Sequence, residues 1–201
     1  MAIEVVLFDL GGVLIELGGM GDMAVFSSGD SEDEIWRRWL SCPWVRRFER
    51  GECDAQAFAE GMVETWSMPV SADAFLEAFI AWPKGMLPGA HEVVRSAGQN
   101  ARVACLSNTN VLHVERQWAE FGIYELFDGI YLSNEMGIVK PDAEAFHHVV
   151  DGLGVSADQV LFIDDNQINV DGARAAGLIA EKAVGPDAAH RIISAHLSPR
   201  N

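Results

Sequence analysis

Apolar and polar residues run along this chain in blocks whose period changes. The opening block, Ile3-Glu4-Val5-Val6-Leu7-Phe8-Asp9, is short, β-branched and apolar, the pattern of a strand buried on both faces, and it ends in one carboxylate. Residues 15–30 hold Gly18, Gly19, Gly21 and Gly29 and show no period, which predicts an irregular connection. From Ser31 the spacing turns helical. Ser31 and Glu34 form a capping-box signature, and Ile35, Trp36, Trp39 and Leu40 share one face. A second helix is predicted after Pro43, with Trp44, Val45 and Phe48 inward and Gly51 as its stop. Asp54 caps a helix carrying Phe58, Met62, Val63 and Trp66, and Ser71 caps another with Phe75, Phe79 and Ile80. No strand pattern interrupts residues 31–82, so an all-helical module is inserted after the first strand.

Beyond Pro83 and Pro88 the texture changes to alternating strands and helices. A helix over 89–99 leads to the strand Arg102-Val103-Ala104-Cys105-Leu106, which runs into Ser107-Asn108-Thr109-Asn110. A helix over about 110–121, a strand at 129–132, Lys140-Pro141 and a helix through Val150 follow. The strand Val160-Leu161-Phe162-Ile163 then ends in Asp164-Asp165-Asn166, and a last unit has a helix to Ala176, Gly177 as its stop and a strand near 178–184. Such alternation predicts an α/β fold, a parallel sheet covered by helices on both faces.

Composition narrows the function. Nearly half of the 201 residues are apolar, enough for a proper core, and no apolar run approaches the roughly 20 residues of a membrane span. The first residues lead into a strand without a basic stretch, so a cytoplasmic protein without a signal peptide is expected. Cys42, Cys53 and Cys105 have no metal-site spacing and are expected to be reduced. Fourteen basic against thirty acidic residues, a net charge of −16, argue against nucleic-acid or anionic-membrane partners. The same charge repels an anionic substrate, so a site for one needs local neutralisation by a cation.

Ligands of open parallel sheets bind beyond the carboxyl ends of the strands. Three strands here end in polar residues: Asp9, Ser107-Asn108 and Asp164-Asp165. Each alone is ordinary turn or capping chemistry; three on one rim are a site. Clustered carboxylates repel unless a cation lies among them, and hard oxygen ligands suit Mg²⁺. Ser107, Asn108 and the N–H groups opening the next helix can donate to an anion, and Lys140 can add positive charge. A phosphate is the guest that such a set would take.

Phe8-Asp9-Leu10-Gly11-Gly12-Val13, Leu106-Ser107-Asn108-Thr109, Lys140-Pro141 and Phe162-Ile163-Asp164-Asp165-Asn166 resemble the four ordered motifs of the haloacid dehalogenase (HAD) superfamily. The resemblance implies a Rossmann-like three-layer core formed by 1–14 and 86–201, with a helical cap of the superfamily's first cap class at 15–85. Phe48-Glu49-Arg50-Gly51-Glu52, Leu106 to Asn110 and Tyr131-Leu132-Ser133 are similar to the bacterial α-glucose-1-phosphate phosphatase type within it. It implies a Mg²⁺-dependent phosphatase acting on a small phosphorylated metabolite. Asp9 would be the nucleophile that forms an aspartyl-phosphate. Mg²⁺ would be held by Asp9, the carbonyl of Gly11 and Asp165, with Asp164 in or next to that set. Ser107 and Asn108 would bind the phosphoryl group, and Lys140 would orient Asp9 and offset charge.

Most phosphatases of the superfamily carry a second Asp two residues after the nucleophile, as acid for the leaving group; here Gly11 stands there. Losing a general acid typically costs about 10²–10⁴-fold. Glu49, Glu52 and Asp22 are candidate replacements. The alternatives are a catalytically weak phosphate-binding or regulatory protein, or a metal-independent 2-haloacid dehalogenase, against which the paired Asp164-Asp165 argues. A phosphonatase would need a cap lysine, and no lysine precedes Lys84.

Overall fold

The computed structural model describes residues 2–18 and 32–197. The capping box at Ser31, the glycines at 19, 21 and 29, and Asp22 lie outside the described residues.

Strand β1 (Val5–Phe8) is the centre of a five-stranded, all-parallel sheet. It lies between β4 (Arg102–Ser107) and β6 (Val160–Asp164), with β5 (Gly129–Leu132) and β7 (Ile179–Lys182) at the edges. Its unbroken apolar run follows from the layers. Alternate side chains leave a strand on opposite faces. Val6 and Phe8 pack with Cys105, Leu161 and Ile163 on one face, whereas Val5 and Leu7 pack with Ala104, Leu106 and Phe162 on the other. The first face is covered by α5 (Ala90–Ala97) and α10 (Gly185–His196), the second by α8 (Ala143–Leu153) and α9 (Gln167–Ala175). This is the three-layer α/β arrangement that the alternation predicts.

Helix α10 is absent from the sequence reading, which stops at the last strand. Gly185 and Pro186 disguise its start, although proline is well tolerated in a first helical turn. A second correction concerns the connection after β1. Residues Ile15–Leu17 form β2, and Pro83–Met86 form β3, paired antiparallel with it across a bulge at Glu16/Leu17. A Pro and a Gly in four residues hide β3 from any propensity argument.

This ribbon carries the helical insertion: α1 (Glu32–Ser41), α2 (Pro43–Glu49), α3 (Ala55–Trp66) and α4 (Ala72–Ile80). Asp54 and Ser71 cap α3 and α4 as read, accepting from the N–H groups of Ala57 and Ala74. Trp39, Trp66 and Trp82 are buried with Phe48, Phe58, Phe75 and Phe79 in a cluster of the insertion's own, with Trp36 and Trp44 at its margin. Ile80, expected inward, is 37% exposed. Helix α6 (Val111–Arg116) continues through Gln117–Phe121 as a π-helical turn and stops at Gly122, φ 58. Its N-cap is Asn110. A further short helix, α7 (Ser133–Met136), follows β5.

Gly61 makes a sharp test of this packing. A Cβ there would lie 2.1–2.5 Å from ring atoms of Trp44. Gly→Ala in a helix normally stabilises by about 1 kcal/mol. Here overpacking reverses the sign, and Gly61→Ala is expected to lower stability by about 1–3 kcal/mol, read as a lower urea midpoint.

Candidate active site

The register of the sheet builds the site. Phe8 aligns with Cys105 and with Ile163, so the next residues, Asp9 and Asp164, emerge side by side at the carboxyl rim. Ser107 is the last residue of β4 and opens on the same rim. Gly12 has φ 68, and a Cβ on it would come within 2.2 Å of an Asp165 carboxylate oxygen. Only glycine lets β1's loop turn beneath that group.

Lys140 is 2% exposed, and its ammonium donates to Asp9 Oδ1 and to Asp164 Oδ2, both at 2.7 Å. Burial works against its charge, but Asp164 and Asp9 outweigh it and hold the amine above its ordinary range. Asp9 is pushed up to about 6, mainly by burial, with Lys140 opposing and Asp164 adding to the rise. Asp165 is pushed up to about 8 by burial and by its two acidic neighbours. Candidate ligand oxygens of Asp9, Asp164 and Asp165 all lie within 4.8 Å of one another. Three carboxylates against one ammonium is a donor set that fits a hard divalent cation.

The structure sorts the residues named from sequence. Asp9, Gly11, Ser107, Asn108, Lys140 and Asp165 all line one cavity of about 570 Å³. Asp164 is fully buried and is occupied by Lys140, by Asn169 Nδ2 at 3.1 Å from each of its oxygens, and by the Asn166 N–H at 2.8 Å. It is placed as an anchor for Lys140 beneath the cluster.

Asn108, expected to face an anion, is turned to the lysine loop. Its Nδ2 donates to the Lys140 carbonyl at 3.0 Å and its Oδ1 accepts the Lys140 N–H at 2.9 Å. The N–H of Thr109, one of those expected to meet an anion, donates instead to Ser133 Oγ at 2.9 Å.

The structure also brings to the site residues to which the sequence assigned no role, and Glu49, which it named as a candidate acid. Asn169 supports Asp164, and only its helical spacing from the Asp pair could have suggested so. Thr109 offers a buried hydroxyl with no hydrogen-bond partner beside the cavity. Asp142, two residues past Lys140, receives Arg46 at 2.6 Å and Arg50 at 3.0 Å from α2. These arginines therefore dock the insertion instead of forming the solvated face that a charge run suggests. Glu49, on the same helix, reaches the cavity and is pushed up to about 8, chiefly by burial, against the pull of Lys140 and Arg46. Farther up the wall His113 is held near 4 by burial, its Nε2 2.8 Å from the Phe79 carbonyl.

The carboxylate rim at the end of β1 thus holds one buried lysine and lies under the inserted helices. The model of the haloacid dehalogenase-like hydrolases matches residues 3–177, and the chain belongs to that family. It is 22% identical over 178 residues to D-ribitol-5-phosphate phosphatase of Bacteroides thetaiotaomicron, covering 84% of this chain and 85% of that one. It is 41% identical over 56 residues to a sesquiterpene phosphatase of Aspergillus oryzae; the match takes in 28% of this chain and only 29% of the relative's length. A crystal structure of a HAD family enzyme of B. thetaiotaomicron superposes with a TM-score of 0.74 at 25% identity, over 96% of this chain and 99% of that one. The same enzyme has been solved in complex with magnesium and inorganic phosphate.

The raised carboxyls give a signed pH dependence. With folded values near 6 and 8, Asp9 and Asp165 favour the metal-free fold at low pH, and that contribution is lost as pH rises through each value. A metal must displace those protons. Mg²⁺ is therefore expected to bind more tightly, and to raise Tm more, at pH 8 than at pH 6. Calorimetry in buffers of different ionisation enthalpy should record proton release; an affinity that is flat or falls with pH contradicts this.

Proposed function

We propose that the protein is a Mg²⁺-dependent phosphatase that hydrolyses a small phosphomonoester through an aspartyl-phosphate on Asp9. The observation that carries this reading is the close set Asp9, Asp164 and Asp165 tied to one buried lysine at the floor of a cavity. Asp9, Asp165 and the Gly11 carbonyl would hold the metal. When bound, Mg²⁺ supplies the charge that lets an anionic nucleophile approach a phosphate and that stabilises the equatorial oxygens.

The chain's own residues do the rest. Lys140 holds Asp9 in position through Oδ1 and keeps its charge offset. Asp164, fixed by Asn169 and the Asn166 N–H, keeps Lys140 in place. Ser107, with Thr109 beside it, would donate to the phosphoryl oxygens, while Asn108 would act chiefly by setting the lysine loop. The insertion, with bounds at 15–85, would supply the roof and the substrate contacts. Support for phosphoryl over halide chemistry comes from Asp165, a second cavity carboxylate that an aspartate-only dehalogenase does not need.

The resemblance to α-glucose-1-phosphate phosphatases makes that ester the first substrate to try. Ribitol 5-phosphate and a terpenyl phosphate enter the panel from the relatives, and p-nitrophenyl phosphate as a general probe. Mg²⁺-dependent phosphate release is expected, with Asp9→Asn lowering kcat by about 10³-fold or more. Absence of release from every ester, or an Asp9→Asn variant as active as the parent, sinks the enzyme reading in favour of a phosphate-binding protein.

A further inference from the structure

The space that the missing acid would need beside Gly11 is taken by Leu17. A Cβ on Gly11 would lie 3.0 Å from Leu17 Cδ1, and the rest of an aspartate side chain would have to pass that methyl group. A proton donor has to come from elsewhere on the cavity wall. Lys140 is engaged by two carboxylates. Asp165 belongs to the metal set. His113 has both ring nitrogens occupied, Nε2 near the Phe79 carbonyl and Nδ1 3.2 Å from Asn110 Nδ2. Glu52 is exposed, and Asp22 lies outside the described residues.

Glu49 remains. It is the last residue of α2, and that helix is pinned where it must be. Arg46 and Arg50 clasp Asp142, and Gly51, at φ 70, brings the helix end so close to the core that a Cβ would lie 2.9 Å from the Asn134 carbonyl. Glu49 thereby enters the cavity that Asp9, Gly11 and Asn108 line. Its charged surroundings are Lys140 from the lysine loop, Arg46 from its own helix and Asp9 from β1.

Building on the aspartyl-phosphate reading above, we propose that Glu49 is the catalytic acid that protonates the leaving oxygen, in place of the aspartate that Gly11 replaces. As Asp9 forms its bond to phosphorus and the ester P–O bond breaks, the carboxyl proton of Glu49 passes to the departing oxygen, which leaves as the alcohol. The resulting Glu49 carboxylate then takes a proton from the water that attacks phosphorus. The Asp9–phosphorus bond breaks, phosphate leaves, and both carboxyls return to their starting states. A carboxyl held up to about 8 carries the needed proton at neutral pH.

The test reads kcat/KM, which reports the steps up to release of the alcohol and not the common hydrolysis of the aspartyl-phosphate, over a leaving-group series, p-nitrophenyl, phenyl and an alkyl phosphate, with the parent enzyme, Glu49→Gln and Glu49→Asp in Mg²⁺. A group that only shapes the cavity would affect all esters alike; a proton donor matters most where the alcohol is a poor leaving group. Glu49→Gln is expected to lose about 10²–10⁴-fold on the alkyl and phenyl esters and under about tenfold on p-nitrophenyl phosphate. Retained p-nitrophenyl activity also certifies that the variant is folded. Glu49→Asp, still an acid, should recover part of the alkyl rate. Equal losses across the series, or none, overturn the proposal while leaving the phosphatase reading intact. A parent enzyme inert toward every ester overturns both.

Discussion

One buried ammonium shared by two carboxylates is the constraint on which the site rests. Lys140 lies 2.7 Å from Asp9 and 2.7 Å from Asp164, nearly free of solvent, and Asp165 adds a third acid within reach. Breaking such a buried pair from one side costs about 3–5 kcal/mol, because the remaining charge is stranded. Even intact, the set is short of positive charge, in a chain whose net charge is already −16. The deficit can be met by protons or by a cation. Without metal, protons meet it, and Asp165 and Glu49 are both held up to about 8. A cation among the strand-end carboxylates would take the place of the proton on Asp165.

The lysine loop also links the chemistry to the helical insertion. Residues 140–142 present Lys140 to the carboxylates and Asp142 to the arginines of α2. Asn108 grips the backbone of Lys140 through both ends of its amide and lines the same cavity as Glu49. The position of the insertion and the position of the lysine are therefore set by the same few atoms. A substitution at Asp142 would be felt at both, though it lines neither the carboxylate cluster nor the cavity.

What the sequence made legible follows from which forces are local. The three central strands read clearly because burial on both faces leaves an apolar run, and the cap helices because Asp54 and Ser71 announce their starts. The gathering of Asp9, Ser107 and the Asp164-Asp165 pair was readable because strand ends of a parallel sheet share a rim. β3 and α10 were not, since Pro83, Gly85 and the Gly185-Pro186 pair mask elements that tertiary pairing and packing impose. Nor could spacing show that Asn108 faces Lys140, or that Arg46 and Arg50 meet an aspartate more than ninety positions away. Those contacts exist only once the insertion is folded back on the core.

Gly11 and Leu17 illustrate how such a contact changes the meaning of a residue. In the sequence Gly11 is a deletion, an absent acid that limits which leaving groups can be expelled. In the structure the space beside it is filled by Leu17, from the ribbon that carries the cap. Restoring an aspartate there would require moving the ribbon's side chain, so the glycine and the leucine form one unit. With the donor placed on α2 instead, the acid reaches the cavity only through a helix docked on Asp142. Proton transfer to a poor leaving group is then tied to cap docking, whereas attack by Asp9 on an ester with a good one is not. That asymmetry is a consequence of geometry, and it separates the insertion's part in catalysis from its part in forming the wall.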